Sequence, residues 1–217
     1  GHNGGMSLPQ AMVAVSARAG LPVWIPPDVA GHCCGTPWSS KGYGEGARVA
    51  GDRMGAALKE WSDQGRLPVV IDASSCTHAV RTETEAQGVE VLDSIAWLHD
   101  HLLPRLTVKR RLGRIAVHPT CATRHLGLVE ELTATARALA DEAVIPASTG
   151  CCGMAGDRGW LHPELPASAL RDTAAELGGQ RFDACVSSNR TCEAALTQHL
   201  GRSYESIVLT LEALTRD

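Results

Sequence analysis

The chain has 217 residues, enough for one large domain or two small ones, and at this size a fold buries roughly 70 % of its unfolded surface without needing staples. A formal charge of −4 and an aromatic content of 4 % exclude a basic nucleic-acid or anionic-membrane surface and an aromatic stacking platform. No apolar run approaches the ~20 residues of a membrane span, and the opening GHNGGM has neither a charged nor an apolar leader region, so a cytoplasmic location without a transmembrane segment is expected.

Residues 1–6 read as an expression remnant, with Ser7 as the first native position. Ser7 and Gln10 then form a capping box ahead of a helix carrying Met12, Val15 and Ala19, which Gly20 stops. A short strand, Val23-Trp24-Ile25, leads to the vicinal pair Cys33-Cys34. Gly42-Tyr43-Gly44-Glu45-Gly46 reads as a turn. A helix with Val49, Met54, Ala57, Leu58 and Trp61 on one face follows, then a strand over Val69 to Asp72 that ends near Cys76. After the basic connection Lys109 to Arg114, the strand Ile115-Ala116-Val117 runs to Cys121. Next come a helix over Leu132, Ala136 and Leu139, a strand at Val144-Ile145 leading to Cys151-Cys152, and a strand from Ala184 to Ser187 leading to Cys192.

The chain repeats itself once. His32-Cys33-Cys34-Gly35 followed by Lys41-Gly42-Tyr43 returns as Gly150-Cys151-Cys152-Gly153 followed by Arg158-Gly159-Trp160, and Cys34 lies 118 positions before Cys152. Cys76 and Cys192 are 116 apart, and Val91-Leu92-Asp93-Ser94 aligns with Ile207-Val208-Leu209-Thr210 at the same offset. Residues 7–110 and 111–217 are therefore expected to be two repeats. Strands alternating with helical patterns give an α/β fold class: two pseudo-twofold-related repeats with short, mainly parallel sheets flanked by helices.

Eight cysteines are many for a reducing compartment, so metal or redox chemistry is a better account of them than disulfides. Cys121, Cys151, Cys152 and Cys192 come from three strand ends and suffice for a tetrahedral zinc or an iron–sulfur group. The first repeat offers only Cys33, Cys34 and Cys76, and the position matching Cys121 would fall before Ser7. Cys185, inside an apolar strand, reads as packing. Adjacent cysteines point opposite ways in extended chain, so Gly35 and Gly153 supply the turn that aims both at one ligand. His118 and His32, beside cysteines, are candidates to hydrogen-bond a metal-site sulfur or to serve as ligands. The other histidines are expected on helices or the surface.

Cys-Cys-Gly followed by a Lys/Arg-Gly step, with one cysteine upstream and another downstream and all of it in two copies, resembles the cysteine-rich CCG domain found in heterodisulfide reductase and in the glycolate oxidase iron–sulfur subunit. The wording His32 to Tyr43, His118-Pro119-Thr120-Cys121 and Ser187 to Cys192 is most similar to the C-terminal region of FAD-linked D-lactate dehydrogenases. That resemblance implies an iron–sulfur electron-transfer module. Its partners would be an FAD-binding dehydrogenase domain or subunit, which alone carries the FAD, and a quinone or other acceptor, with a peripheral position at the inner membrane face as a corollary. The family's final Cys-x-x-Cys is reduced here to Ala73…Cys76 and Asn189…Cys192, which argues against a five-thiolate cluster. A zinc–thiolate docking domain and a thiol/disulfide module are the competing readings, and on the iron–sulfur reading the cluster can be lost or replaced by zinc in this fragment.

Overall fold

The structure is a computed structural model that describes residues 5–83 and 88–216. Two parallel sheets carry it. In the second repeat β3 (Leu112–Val117), β4 (Ala140–Val144), β5 (Ala184–Ser187) and β6 (Tyr204–Ser206) form one sheet in the order β4-β3-β5-β6. In the first, β1 (Val69–Ile71) pairs with β2 (Val91–Asp93) alone. The registers Val69↔Val91 and Cys185↔Tyr204 show that β2 corresponds to β6. Val91 therefore matches Tyr204 at an offset of 113, not Ile207 at 116. The two segments also share chemistry, because Asp93 and Ser206 each accept a hydrogen bond from the backbone N–H two residues on.

The helices repeat in the same order. α1 (Leu8–Arg18), α2 (Thr36–Ser39), α3 (Gly44–Trp61) and α4 (Ser74–Glu83) answer to α7 (Val129–Leu139), α8 (Arg158–Leu161), α9 (Glu164–Leu177) and α10 (Arg190–Leu200). A closing helix ends each repeat: α5 (Ser94–Ala96) running into a π-helical segment, Trp97–Leu102, and α11 (Ile207–Thr215). α6 (Cys121–His125), β3 and β4 have no counterpart among the described residues of the first repeat. Helix α1 starts as expected, with the Ser7 N–H and hydroxyl both on Gln10 Oε1 at 2.9 and 2.8 Å, and the chain leaves it through Gly20 at φ +75°.

Four local expectations need correction. Val23-Trp24-Ile25 is not a strand, because the sheet offers it no neighbour and Pro22, Pro26 and Pro27 remove donors around it; Trp24 and Ile25 are exposed. The strand expected at Val144-Ile145 lies earlier, at Ala140–Val144, where it pairs with β3 from Leu112 onward. Gly44 opens α3 rather than prolonging the turn, which stops at Tyr43. Val49 is on the exposed side of that helix, whereas Ala57 and Leu58 are buried.

The repeats interlock by exchange, for α1 of the first packs on α11 of the second and α7 of the second packs on the π-helical segment of the first. All nine residues of α11 are buried, including Glu212 at 1 % exposure. A carboxylate held there needs a partner. Arg18, reaching from α1, supplies it with a 2.9 Å ion pair to Glu212 and a 2.8 Å hydrogen bond to the Thr215 hydroxyl. Replacing Arg18 with Ala should cost about 3 kcal/mol in urea denaturation, and adding Glu212→Gln should recover at least half. A loss below about 1 kcal/mol for the single variant would show that Glu212 does not depend on Arg18.

Candidate metal centre

The order β4-β3-β5-β6 is doubly wound, and its switch point lies between the carboxyl ends of β3 and β5, where such sheets place their ligands. Cys121 opens α6 just after β3, and Cys192 sits in the first turn of α10 just after β5. Cys151 and Cys152 arrive from the loop after β4. The turn that delivers them depends on Gly153 at φ +79°, where a Cβ would stand 2.6 Å from Pro166 Cα. Gly35 holds the matching turn at φ +87°, close against the Ala47 carbonyl oxygen.

In the second repeat the Cys152 thiol donates to Cys192 with the sulfurs 2.8 Å apart, and Cys121 and Cys151 lie near enough to act electrostatically on these thiols. In the first repeat Cys34 and Cys76 meet at 3.1 Å, with Cys33 close enough to act electrostatically on Cys76. All eight cysteines are free thiols. Cys121 and Cys151 are exposed, whereas Cys34, Cys152 and Cys192 are buried.

Packed thiols share protons, and the sharing splits their acidities. The neighbouring Cys121 thiol pulls Cys151 far down and is itself pushed up, while Cys152 is raised by Cys151 and then by Cys192, which its hydrogen bond holds below the usual value. In the first repeat the hydrogen bond from Cys76 lowers Cys34 to about 6, helped by the Thr36 hydroxyl at 3.2 Å. Thiolates are the metal-binding form, so each cluster already favours partial ionisation. Cys185 lies inside β5, where burial raises it to about 11; Ala116 and Tyr204 flank it on the neighbouring strands, and it shares an apolar cluster with Cys152 and Cys192.

The two candidate histidines part company. His32 uses Nδ1 to donate to the Asp28 carbonyl oxygen at 3.1 Å and lays its ring edge-on against Trp61. His118 is 1 % exposed, and neither ring nitrogen has a hydrogen-bond partner. Burial pushes it down to about 4, with Arg124 adding to the effect and Cys151 opposing it. A buried imidazole with two orphaned nitrogens, near four thiols on three strand ends, fits a metal or iron–sulfur group by its donor chemistry. Among the described residues no three His, Cys, Asp or Glu side chains surround one centre as a lone ion requires. The sulfurs of a tetrahedral zinc stand about 3.8 Å apart, so Cys152 and Cys192, now at 2.8 Å, must separate by about 1 Å to bind one.

Asn189, which stands where the family pattern has a cysteine, has a visible role. As the residue before α10 it lies against the helix's first turn, donates from Nδ2 to the Cys192 sulfur at 3.6 Å, and accepts from the Ser75 hydroxyl at 2.9 Å. Ser188 beside it bonds to Ser74 in the other repeat, oxygen to oxygen at 3.0 Å, and to Thr123 at 2.7 Å. The three cysteine-bearing helices α4, α6 and α10 are thus tied to one another by buried hydroxyls. Sequence reading also passed over His78 and His125, whose rings stack at 5.4 Å between α4 and α6. Pattern alone shows neither contact, since each joins different repeats.

The cysteine-rich domain model matches residues 3–81 and 115–197. The chain belongs to the CCG cysteine-rich domain family, and carries it twice. No curated protein matches it. Two CCG domains support a metal-binding or iron–sulfur redox module, and no helix among the described residues is long and apolar enough to cross a membrane.

His118 gives the centre an acid signature. Its ordinary value near 6.5 applies in the unfolded chain and about 4 in the folded one, so the unfolded state binds the proton first. Stability is fully present above pH 6.5 and falls as pH drops toward 4, by as much as about 3 kcal/mol for this group. Urea denaturation at pH 7 and pH 4.5 should show His118→Leu losing less stability than the parent between the two. Equal losses would place the acid sensitivity elsewhere.

Proposed function

We propose that this chain, divided into repeats 7–110 and 111–217, is the iron–sulfur electron-transfer module of a flavin-dependent D-2-hydroxyacid dehydrogenase of the D-lactate or glycolate type. It receives electrons from an FAD-binding domain or subunit and passes them to a quinone or other acceptor. What supports the reading is that Cys121, Cys151, Cys152 and Cys192 follow the ends of β3, β4 and β5 around the sheet's switch point, with Cys152 and Cys192 in sulfur contact and the unpartnered His118 just after β3. Those four thiols hold the metal group. Cys33, Cys34 and Cys76 form the weaker site.

Bound there, an iron–sulfur group supplies one-electron redox chemistry. The chain's own residues do the rest: burial of Cys152 and Cys192 keeps water from half of the donor set, Asn189 orients the Cys192 sulfur, and His118 stays neutral at physiological pH. An electron carrier also needs contact with its donor. Trp38, Tyr43, Trp160 and Leu161, which follow the two CCG turns, are all exposed, and the two segments that bear them are joined by an ion pair of Lys41 with Asp157. Such a face suits a docked domain.

The substrate type rests on the wording of the CCG segments and takes its test from the parent enzyme. The site itself is tested by anaerobic reconstitution with iron and sulfide. About one cluster per chain should load; Cys152→Ser should abolish it and Cys34→Ser should leave it nearly intact. Equal sensitivity to both substitutions would refute the assignment of the ligands.

A further inference from the structure

We propose that Cys34–Cys76 and Cys152–Cys192 are matched dithiol/disulfide couples, which a small peroxide closes into the same cross-link in each repeat when no metal is bound. The inference stands on sulfur geometry. On the reading above it would also withdraw both pairs from metal, but it does not need that reading.

Two independent pairs show the same arrangement. Each joins the second cysteine of a Cys-Cys-Gly turn to a cysteine in the first turn of the helix that follows β1 or β5. The sulfurs lie 3.1 and 2.8 Å apart, against about 2.05 Å in a disulfide, so closure asks for a shift of about 1 Å. Both ends are held. The Gly35 and Gly153 turns lie close against backbone, and the hydroxyl contacts described above tie α4 to the residues that open α10.

Competing links are worse placed. A vicinal link, Cys33–Cys34 or Cys151–Cys152, closes a ring over one peptide bond and strains its planar trans form. Cys121 and Cys151 act on each other electrostatically, but among the described residues their sulfurs make no direct contact like those of the two pairs. Cys185, inside β5, shares an apolar cluster with Cys152 and Cys192 but hydrogen-bonds neither thiol among the described residues. With Cys34, Cys152 and Cys192 each no more than 5 % exposed, a bulky oxidant is shut out.

The chemistry balances. One thiolate breaks the peroxide O–O bond and takes one oxygen as a sulfenic acid, while the other oxygen leaves as water after taking up a proton. The partner sulfur then displaces that oxygen as a second water. Two thiols and one peroxide give one disulfide and two waters, the sulfurs losing two electrons and the peroxide gaining them.

The full chain, stripped of metal by a chelator under reducing conditions, is treated with a small excess of hydrogen peroxide, alkylated and digested without reduction. Mass spectrometry should find Cys34–Cys76 and Cys152–Cys192 links at least ten-fold more abundant than vicinal ones, with Cys185 alkylated. Cys34→Ser should remove the first link and leave the second. Vicinal links in their place, or sulfinic acids without cross-links, would overturn the proposal. Iron loading of the untreated reduced chain, measured alongside, reports on the metal reading separately: failure to load leaves the couples standing, and missing cross-links leave the metal reading standing.

Discussion

A helix buried on every side cannot lie on a surface, and α11 forces the rest of this fold to close around it. Its residues face β5 and β6 within its own repeat, α7 beside it, and α1 from the other repeat. The first repeat's closing helical segment makes the reciprocal demand and is met by α7. Neither repeat can cover its closing helix alone, so the two are locked as a pair about a pseudo-twofold relation. The shared apolar core runs through α1, β3, β5, α7 and α11. Its cost includes a buried carboxylate, Glu212, compensated across the repeat boundary by Arg18 and, more loosely, by Arg216 one turn on.

That lock decides where the thiols can go. Once the sheets are fixed, the helices α4, α6 and α10 must start at neighbouring strand ends, and their first turns bring Cys76, Cys121 and Cys192 to the same edge. The Cys-Cys-Gly loops then need only a glycine at positive φ to fold back over those ends. Interactions between neighbouring thiols set alternate cysteines toward the thiolate against the opposing effect of burial, and the thiolate is the form a metal or a peroxide requires. The ligand site and the oxidisable pairs are two consequences of one placement.

Much of this was legible in the sequence because duplication leaves marks at the positions that matter. The Cys-Cys-Gly triplets, the Ser7–Gln10 box and the run from Ala184 to Ser187 specify local structure through short-range physics, and they appear where the pattern put them. The failures share a cause. Val23 to Ile25 has strand composition, yet a strand exists only if a neighbour takes its hydrogen bonds, and composition does not report neighbours. The slip that matched Val91 to Ile207 arose because α11 is so apolar that it reads as a strand. Asn189 read as a missing ligand, since its bond to Ser75 depends on the packing of two repeats and its bond to Cys192 on the turn that opens α10. His118 could be named as a candidate, but its lack of any partner is visible only in three dimensions.

The central claim is that the second repeat's four thiols hold an iron–sulfur group rather than zinc. It is tested most directly by the visible spectrum of the freshly prepared anaerobic chain, with iron, zinc and acid-labile sulfide measured on the same sample. The account predicts a brown protein whose absorption bleaches on reduction and which contains iron and sulfide in nearly equal amounts. A colourless chain with zinc and no sulfide, unchanged after anaerobic reconstitution with iron and sulfide, would contradict it.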